Sequence, residues 1–118
     1  MKPRILLVDD DRLLREVIGD FLYTHGFEVD LAEDAYYALE KFEPGKYHLA
    51  LIDYMMPDMN GLELMKILLE KDPNLFCLIM TGYPTVDNAY QSIIDGASDY
   101  IVKPFELKEL LNTINAYV

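Results

Sequence analysis

Short apolar runs and helical stripes alternate along the chain. Ile5-Leu6-Leu7-Val8 is a continuous apolar run, as expected of a strand covered on both faces. The spacing predicts a helix over 12–25, with Leu13, Leu14, Val17, Ile18, Phe21 and Leu22 in one stripe. Asp11 is placed to cap that helix, and Gly26 to stop it in the left-handed region. Residues 27–31, Phe27-Glu28-Val29-Asp30-Leu31, alternate apolar and polar, which marks a half-exposed strand. A second helix, over 34–43, puts Ala35, Ala38, Leu39 and Phe42 on one face and ends at Glu43-Pro44-Gly45.

The second half repeats the pattern. Leu49-Ala50-Leu51-Ile52 reads as another buried strand and ends at Asp53. A loop from Tyr54 to Asn60 is broken by Pro57 and closed by Gly61, and a helix follows over 62–71. The apolar stretch 75–80 is a strand ending at Thr81-Gly82. A helix over 85–95 carries Val86, Ala89, Tyr90, Ile93 and Ile94 at helical spacing and stops at Gly96. Tyr100-Ile101-Val102 is a short strand before Lys103-Pro104, and a last helix over 106–117 carries Leu107, Leu110, Leu111 and Ile114.

Five strand–helix units in succession imply an α/β fold, a parallel sheet with helices on both faces. No linker or repeat interrupts them, so residues 1–118 are read as one domain. Five units cannot close an eight-stranded barrel, and the one alternating strand, 27–31, belongs at an edge. The expected architecture is a doubly wound five-stranded sheet in the order 2-1-3-4-5 with five helices. Ligands in such sheets bind beyond the carboxyl ends of the strands flanking the switch point, here 5–8 and 49–52.

Charge changes the picture of partners. Ten Lys+Arg against 21 Asp+Glu give a net charge of −11, which repels phosphate backbones and argues against direct nucleic-acid binding. Divalent cations and basic protein patches fit better. No apolar run approaches the roughly 18 residues of a membrane span. Met1-Lys2-Pro3-Arg4 leads into an apolar run too short for a signal peptide, so a cytoplasmic location is expected. The one cysteine, Cys77, excludes an intrachain disulfide and a thiolate metal cluster, and is read as a buried small apolar residue.

The polar residues fall at the strand ends. The first strand ends in Asp9-Asp10-Asp11, the third in Asp53, the fourth in Thr81 and the fifth in Lys103. Asp11 directly precedes a helix and is assigned to its cap. Asp9, Asp10 and Asp53 are hard oxygen ligands with no sulfur or nearby histidine, a set that suits Mg²⁺. A carboxylate can attack phosphorus to give an aspartyl phosphate, whose oxygens then need neutralising by a metal ion and a lysine. Thr81 offers a hydroxyl for a further oxygen. Other conspicuous residues read as ordinary. Tyr36 and Tyr37 are surface or partial core, and His25 and His48 are too far apart in sequence for a metal pair. Met55, Met56 and Met59 are either a docking patch or loop packing.

With these segments in place, the chain resembles the receiver domain of two-component response regulators over essentially its whole length. The matching segments are Ile5 to Asp11 (ILLVDDD), Leu51 to Gly61 (LIDYMMPDMNG), Ile79 to Thr85 (IMTGYPT) and Gly96 to Phe105 (GASDYIVKPF). The resemblance implies a flavodoxin-like sheet and a phosphorelay role. It implies that Asp53 accepts a phosphoryl group from a sensor histidine kinase or a histidine phosphotransfer protein. It implies that Asp10, with Asp9, Asp53 and the Met55 carbonyl, binds Mg²⁺. Thr81 and Lys103 resemble the family's phosphate-contacting pair, Tyr100 its switch aromatic, and Lys103-Pro104 its cis peptide. A signal is then expected to leave through residues 84–118 to a partner or output domain. The chain is expected not to be an enzyme beyond its own phosphoryl transfer and dephosphorylation. Gly82 stands where many members carry alanine, and both are small. Ser98 in place of an acidic residue, and a last helix without arginine, look closer to regulators with ATPase-type outputs or to stand-alone and hybrid receivers.

Three rival readings fit less well. An aspartyl-phosphate phosphatase needs a second Asp two residues beyond the nucleophile, and Met55 stands there. A degenerate receiver acting only as a binding module would lack Asp53, Asp10 or Lys103, and all are present. A flavin carrier needs a phosphate-cradling Gly/Ser/Thr loop after the first strand, where this chain has Asp9-Asp10-Asp11.

Overall fold

A computed structural model describes residues 2–82 and 85–118, with the backbone alone for Val86, Asp87, Asn88 and Tyr90. The elements follow in the order β1 (Arg4–Val8), α1 (Arg12–Thr24), β2 (Glu28–Ala32), α2 (Ala35–Lys41) and β3 (Leu49–Asp53). They continue with α3 (Gly61–Lys71), β4 (Phe76–Thr81), α4 (Val86–Ile94), β5 (Asp99–Val102) and α5 (Leu107–Asn115). The five strands form one parallel sheet in the order β2-β1-β3-β4-β5. The predicted order and the edge position of β2 both hold.

The register explains why the central strands are apolar at every position. Val8 pairs with Ile52, and Asp53 with Met80, so β1, β3 and β4 end within two residues of one another. Alternate residues then serve opposite faces. Leu6, Val8, Ala50, Ile52, Cys77 and Ile79 pack under Ala35 and Ala38 of α2 and Leu64, Met65 and Leu68 of α3. Ile5, Leu7, Leu49, Leu51, Leu78 and Met80 pack under Ile18 and Leu22 of α1 and Leu110 and Ile114 of α5. Among these buried side chains, full burial of each Val, Leu, Ile or Met stabilises by about 1.5–3 kcal/mol. Cys77 is fully buried too, and burial pushes its thiol up to about 12.

Caps fix the helix starts. The Asp11 carboxylate accepts from the Leu14 amide at 3.2 Å, as expected. Asp34 caps α2 through the Tyr37 amide at 2.9 Å, and Asn60 caps α3 through the Glu63 amide at 2.9 Å. α2 is therefore shorter than 34–43, and Gly61 opens α3 instead of preceding it.

Two predicted stripes differ from the buried faces. On α1, Leu13 is 71% and Val17 42% exposed, whereas Ile18, Gly19 and Leu22 are buried. The apolar stripe is wider than the arc that the sheet and α5 cover. Gly19 lets the helix lie close to β2, because a Cβ there would sit 3.0 Å from Leu31 Cδ2. Among the described side chains of α4, Ile93 and Ile94 are exposed and Ser92 is buried. At its C-terminal end the helix turns the small Ser92 side chain, not the isoleucines, toward the interior. The Val86 and Tyr90 side chains of that predicted stripe lie outside the described residues, as do Tyr83 and Pro84.

Candidate functional site

The gathered strand ends bring the predicted residues together. Asp9 follows β1 and is fully buried, Asp53 ends β3 and is 5% exposed, and Asp10 faces solvent. One carboxylate oxygen from each lies within 4.8 Å of the others. Lys103 follows β5, and its ammonium reaches across the sheet end to both buried carboxylates. Nζ stands 2.9 Å from Asp9 Oδ2 and 3.2 Å from Asp53 Oδ1. Lys103 is half-buried, and its peptide bond to Pro104 is cis, as the resemblance implied. The Lys103 amide donates to the Thr81 carbonyl at 2.7 Å, which holds the lysine beside the buried end of β4.

The electrostatics follow from crowding. Burial, then the neighbouring Asp9 carboxylate, push the Asp53 carboxyl up to about 7, against the opposing pull of Lys103. Burial lowers the Lys103 ammonium, but hydrogen bonds and charge from Asp9 and Asp53 outweigh it and raise the group. Three carboxylates with one lysine leave net negative charge at the pocket. That donor set, all hard oxygen with two members withdrawn from water, fits a small divalent cation.

The backbone around the site is held by residues the sequence reading did not single out. Asp9 is fixed at four points. Its amide donates to the Ala32 carbonyl at 3.2 Å, Oδ1 accepts from the Asp11 amide at 2.9 Å, and Oδ2 accepts from Lys103. Its carbonyl accepts from Arg15 Nη1 at 2.7 Å. The signal in the sequence was a base four residues beyond the cap Asp11, one helical turn along the same face. Asp58 accepts from the Tyr36 amide at 3.1 Å and the Met59 amide at 2.9 Å, tying the loop after β3 to the start of α2. In that loop Met56 and Met59 pack against the core and Met55 is exposed, so two of the three methionines are loop packing.

Tyr100 is half-buried against the cluster shared with α2 and α3. Its hydroxyl is enclosed and has no hydrogen-bond partner among the described residues, and burial, then the neighbouring Tyr54 hydroxyl, raise its pKa. At the opposite end of the sheet, His48 Nε2 lies 2.8 Å from the Tyr117 carbonyl, and the Tyr117 hydroxyl donates to the Ser98 carbonyl at 2.8 Å. His25 instead lies beside the Phe21 carbonyl, so the two histidines are separate.

A family model described as the response regulator receiver domain matches residues 5–115. The chain belongs to that family. The receiver domain is 39% identical over 114 residues to the response regulator protein FleR of Pseudomonas aeruginosa, covering 97% of this chain and 24% of that one. It is 38% identical over 116 residues to the response regulator MprA of Mycobacterium ulcerans, covering 98% and 50%. The chain therefore spans about a quarter to a half of the length of these curated relatives. Among solved structures, the CheY-like receiver domain protein from Methanospirillum hungatei JF-1 superposes with a TM-score of 0.93 at 35% identity, covering 98% of this chain and 93% of that one. The non-phosphorylated HemR receiver domain from Leptospira biflexa gives 0.94 at 32% identity, covering 98% and 94%. Phosphorelay signalling is the general role of the family, and Asp9, Asp10 and Asp53 form a cluster here that could hold a metal ion. Among the described residues no helix is long and apolar enough to cross a membrane.

Proposed function

We propose that this receiver domain takes a phosphoryl group onto Asp53, in a Mg²⁺-dependent reaction, from the phosphohistidine of a sensor histidine kinase or a histidine phosphotransfer protein. The observation that carries this reading is the setting of Asp53. It is a buried carboxylate at the end of a central strand, with an ammonium at 3.2 Å and two more carboxylates beside it.

An Asp53 carboxylate oxygen attacks phosphorus in line. The phosphorus–oxygen bond forms as the phosphorus–nitrogen bond breaks, and the electron pair leaves on the imidazole. Lys103 is already within reach of Asp53 Oδ1, so its ammonium moves little to meet the incoming phosphoryl oxygens. Thr81 would donate its hydroxyl to another of those oxygens. Asp9, Asp10 and Asp53, with the Met55 carbonyl, would hold Mg²⁺, which when bound supplies positive charge against the carboxylates and the transferred group. The domain catalyses only its own phosphoryl transfer and dephosphorylation, for Met55 offers no acid two residues beyond Asp53. Leu13 and Val17 present exposed apolar surface on α1, and Leu14 of the same helix lines a cleft with Gly82, Lys103, Pro104 and Phe105. That surface suits a helical phosphodonor. The cytoplasm is the compartment of such a relay.

The test is intact mass after incubation with acetyl phosphate. With Mg²⁺, one hydroxylamine-labile phosphoryl group should appear, and EDTA should prevent it. No mass gain at any Mg²⁺ concentration would overturn the reading.

We propose further that phosphorylation is read out through residues 84–118, a span whose Pro84 lies outside the described residues. Thr81 would move toward the phosphoryl group and Tyr100 turn further into the vacated space. Among the described residues the Tyr100 hydroxyl makes no bond that must first break. A coupling of about 1–3 kcal/mol would shift the active-to-inactive ratio about 5- to 150-fold. In the parent, beryllofluoride at Asp53 should shift amide resonances across 85–118 more than across α1. Tyr100→Ala should keep the shifts near Asp53 and lose most of the remote ones. Equal remote shifts in both proteins would make Tyr100 a spectator.

A further inference from the structure

We infer that Arg15 is a positioning residue that sets the Asp10 carboxylate for a divalent cation, an inference that rests on the Mg²⁺-binding reading of this pocket. Arg15 sits on α1 and is half-buried. Its Nη1 donates to the Asp9 carbonyl at 2.7 Å, a short charge-assisted bond. That carbonyl belongs to the peptide plane joining Asp9 to Asp10. A peptide unit is rigid, so fixing its oxygen fixes the direction in which the Asp10 backbone leaves.

Asp10 needs such a clamp more than its neighbours do. Asp9 and Asp53 are buried, and Lys103 bonds to both carboxylates. Asp10 is exposed, follows the end of β1 and precedes the start of α1, so neither ladder nor helix holds its backbone. Beyond the Asp11 amide on Asp9 Oδ1, which closes the turn at 2.9 Å, Arg15 restrains this stretch from the first turn of α1. Partners that orient a metal ligand without touching the metal typically alter affinity about 10- to 100-fold when removed.

The sign of the effect separates positioning from charge. Arg15 is a permanent cation near a cation site. If its charge alone mattered, deleting it would leave divalent binding unchanged or tighter. Positioning demands the opposite result, weaker binding after loss of a positive charge.

The experiment is a Mg²⁺ titration by calorimetry of the parent, Arg15→Ala, Arg15→Met and Arg15→Lys, with urea unfolding in EDTA alongside. Methionine keeps the apolar stem without a donor, and lysine keeps one donor to the carbonyl. Arg15→Ala and Arg15→Met should bind Mg²⁺ about tenfold more weakly than the parent, and Arg15→Lys within about threefold of it. If Arg15→Ala does not fold, the Met and Lys variants decide. Binding in Arg15→Met as tight as in the parent, or in Arg15→Lys as weak as in Arg15→Met, would overturn the role of Arg15. In both cases the parent still binds Mg²⁺. A parent that binds none would overturn the Mg²⁺ reading itself, and Arg15's role with it.

Discussion

Asp53→Asn should remove the phosphoryl mass gain completely and, in EDTA at pH 8, make the domain more stable. The two effects share a cause. Asp53 is the carboxylate through which the phosphoryl group would be received, and it is also the most crowded charge in the pocket. Its folded-state pKa is raised from 3.8 to about 7, by burial first and by Asp9 next. The folded state therefore binds a proton that the unfolded chain has released across that interval. Linkage then makes stability fall as pH rises from about 4 to about 7, with the loss complete above 7. An asparagine can still accept from Lys103 but never ionises. The parent should lose about 1–2 kcal/mol over this range in urea unfolding, allowing for solvent screening at the open pocket. Asp53→Asn should show a shallower slope and exceed the parent above pH 7. Asp58→Asn should still take up phosphate, because Asp58 binds the loop to α2 and takes no part in the pocket. A hydroxylamine-labile phosphate on the Asp53 variant, or an unchanged pH slope, would remove Asp53 from its assigned role.

Gly61→Ala should lower stability by about 2–3 kcal/mol and slow phosphorylation at Asp53. The position carries no positive φ, so the reason is contact alone. A Cβ at 61 would lie 2.5 Å from the Asp53 carbonyl oxygen and 3.0 Å from Tyr54 Cα. Both neighbours are backbone, which cannot swing aside as a side chain would. The Gly61 amide also donates to the Tyr54 carbonyl at 2.8 Å, so the start of α3 is tied to the residue after the acceptor. Relief requires either breaking that bond or moving the end of β3. A loss below about 0.5 kcal/mol would mean that the backbone gives way freely.

These two positions also mark what could be read without coordinates. The fold was legible because buried parallel strands are unbroken apolar runs and their helices carry stripes, and the one alternating strand identified the edge. The pocket was legible because its groups stand at strand ends, where chain order alone predicts convergence. Lys103 in isolation reads as an ordinary surface lysine, and only the gathering of the β1, β3 and β5 ends on one side of the sheet makes it the partner of Asp9 and Asp53. Other contacts had no sequence signature of their own. Gly61 reads as a loop closer, since a steric limit imposed by Asp53 is visible only once α3 is docked. Exposed Leu13, Val17, Ile93 and Ile94 misled for a related reason. Periodicity reports how wide an apolar stripe is, not how much of it a neighbour covers.

The edge strand has a consequence for how these molecules behave at high concentration. β2 pairs on one side only, leaving outward-facing backbone groups that could recruit another strand. It is five residues long and carries Glu28 and Asp30, with Asp30 bridged to Arg4 at 2.9 Å and to the Tyr47 hydroxyl at 2.6 Å. A second copy joining there would bring two sets of carboxylates together and strip water from them. Charged residues on an edge strand of this kind work against a second strand pairing there.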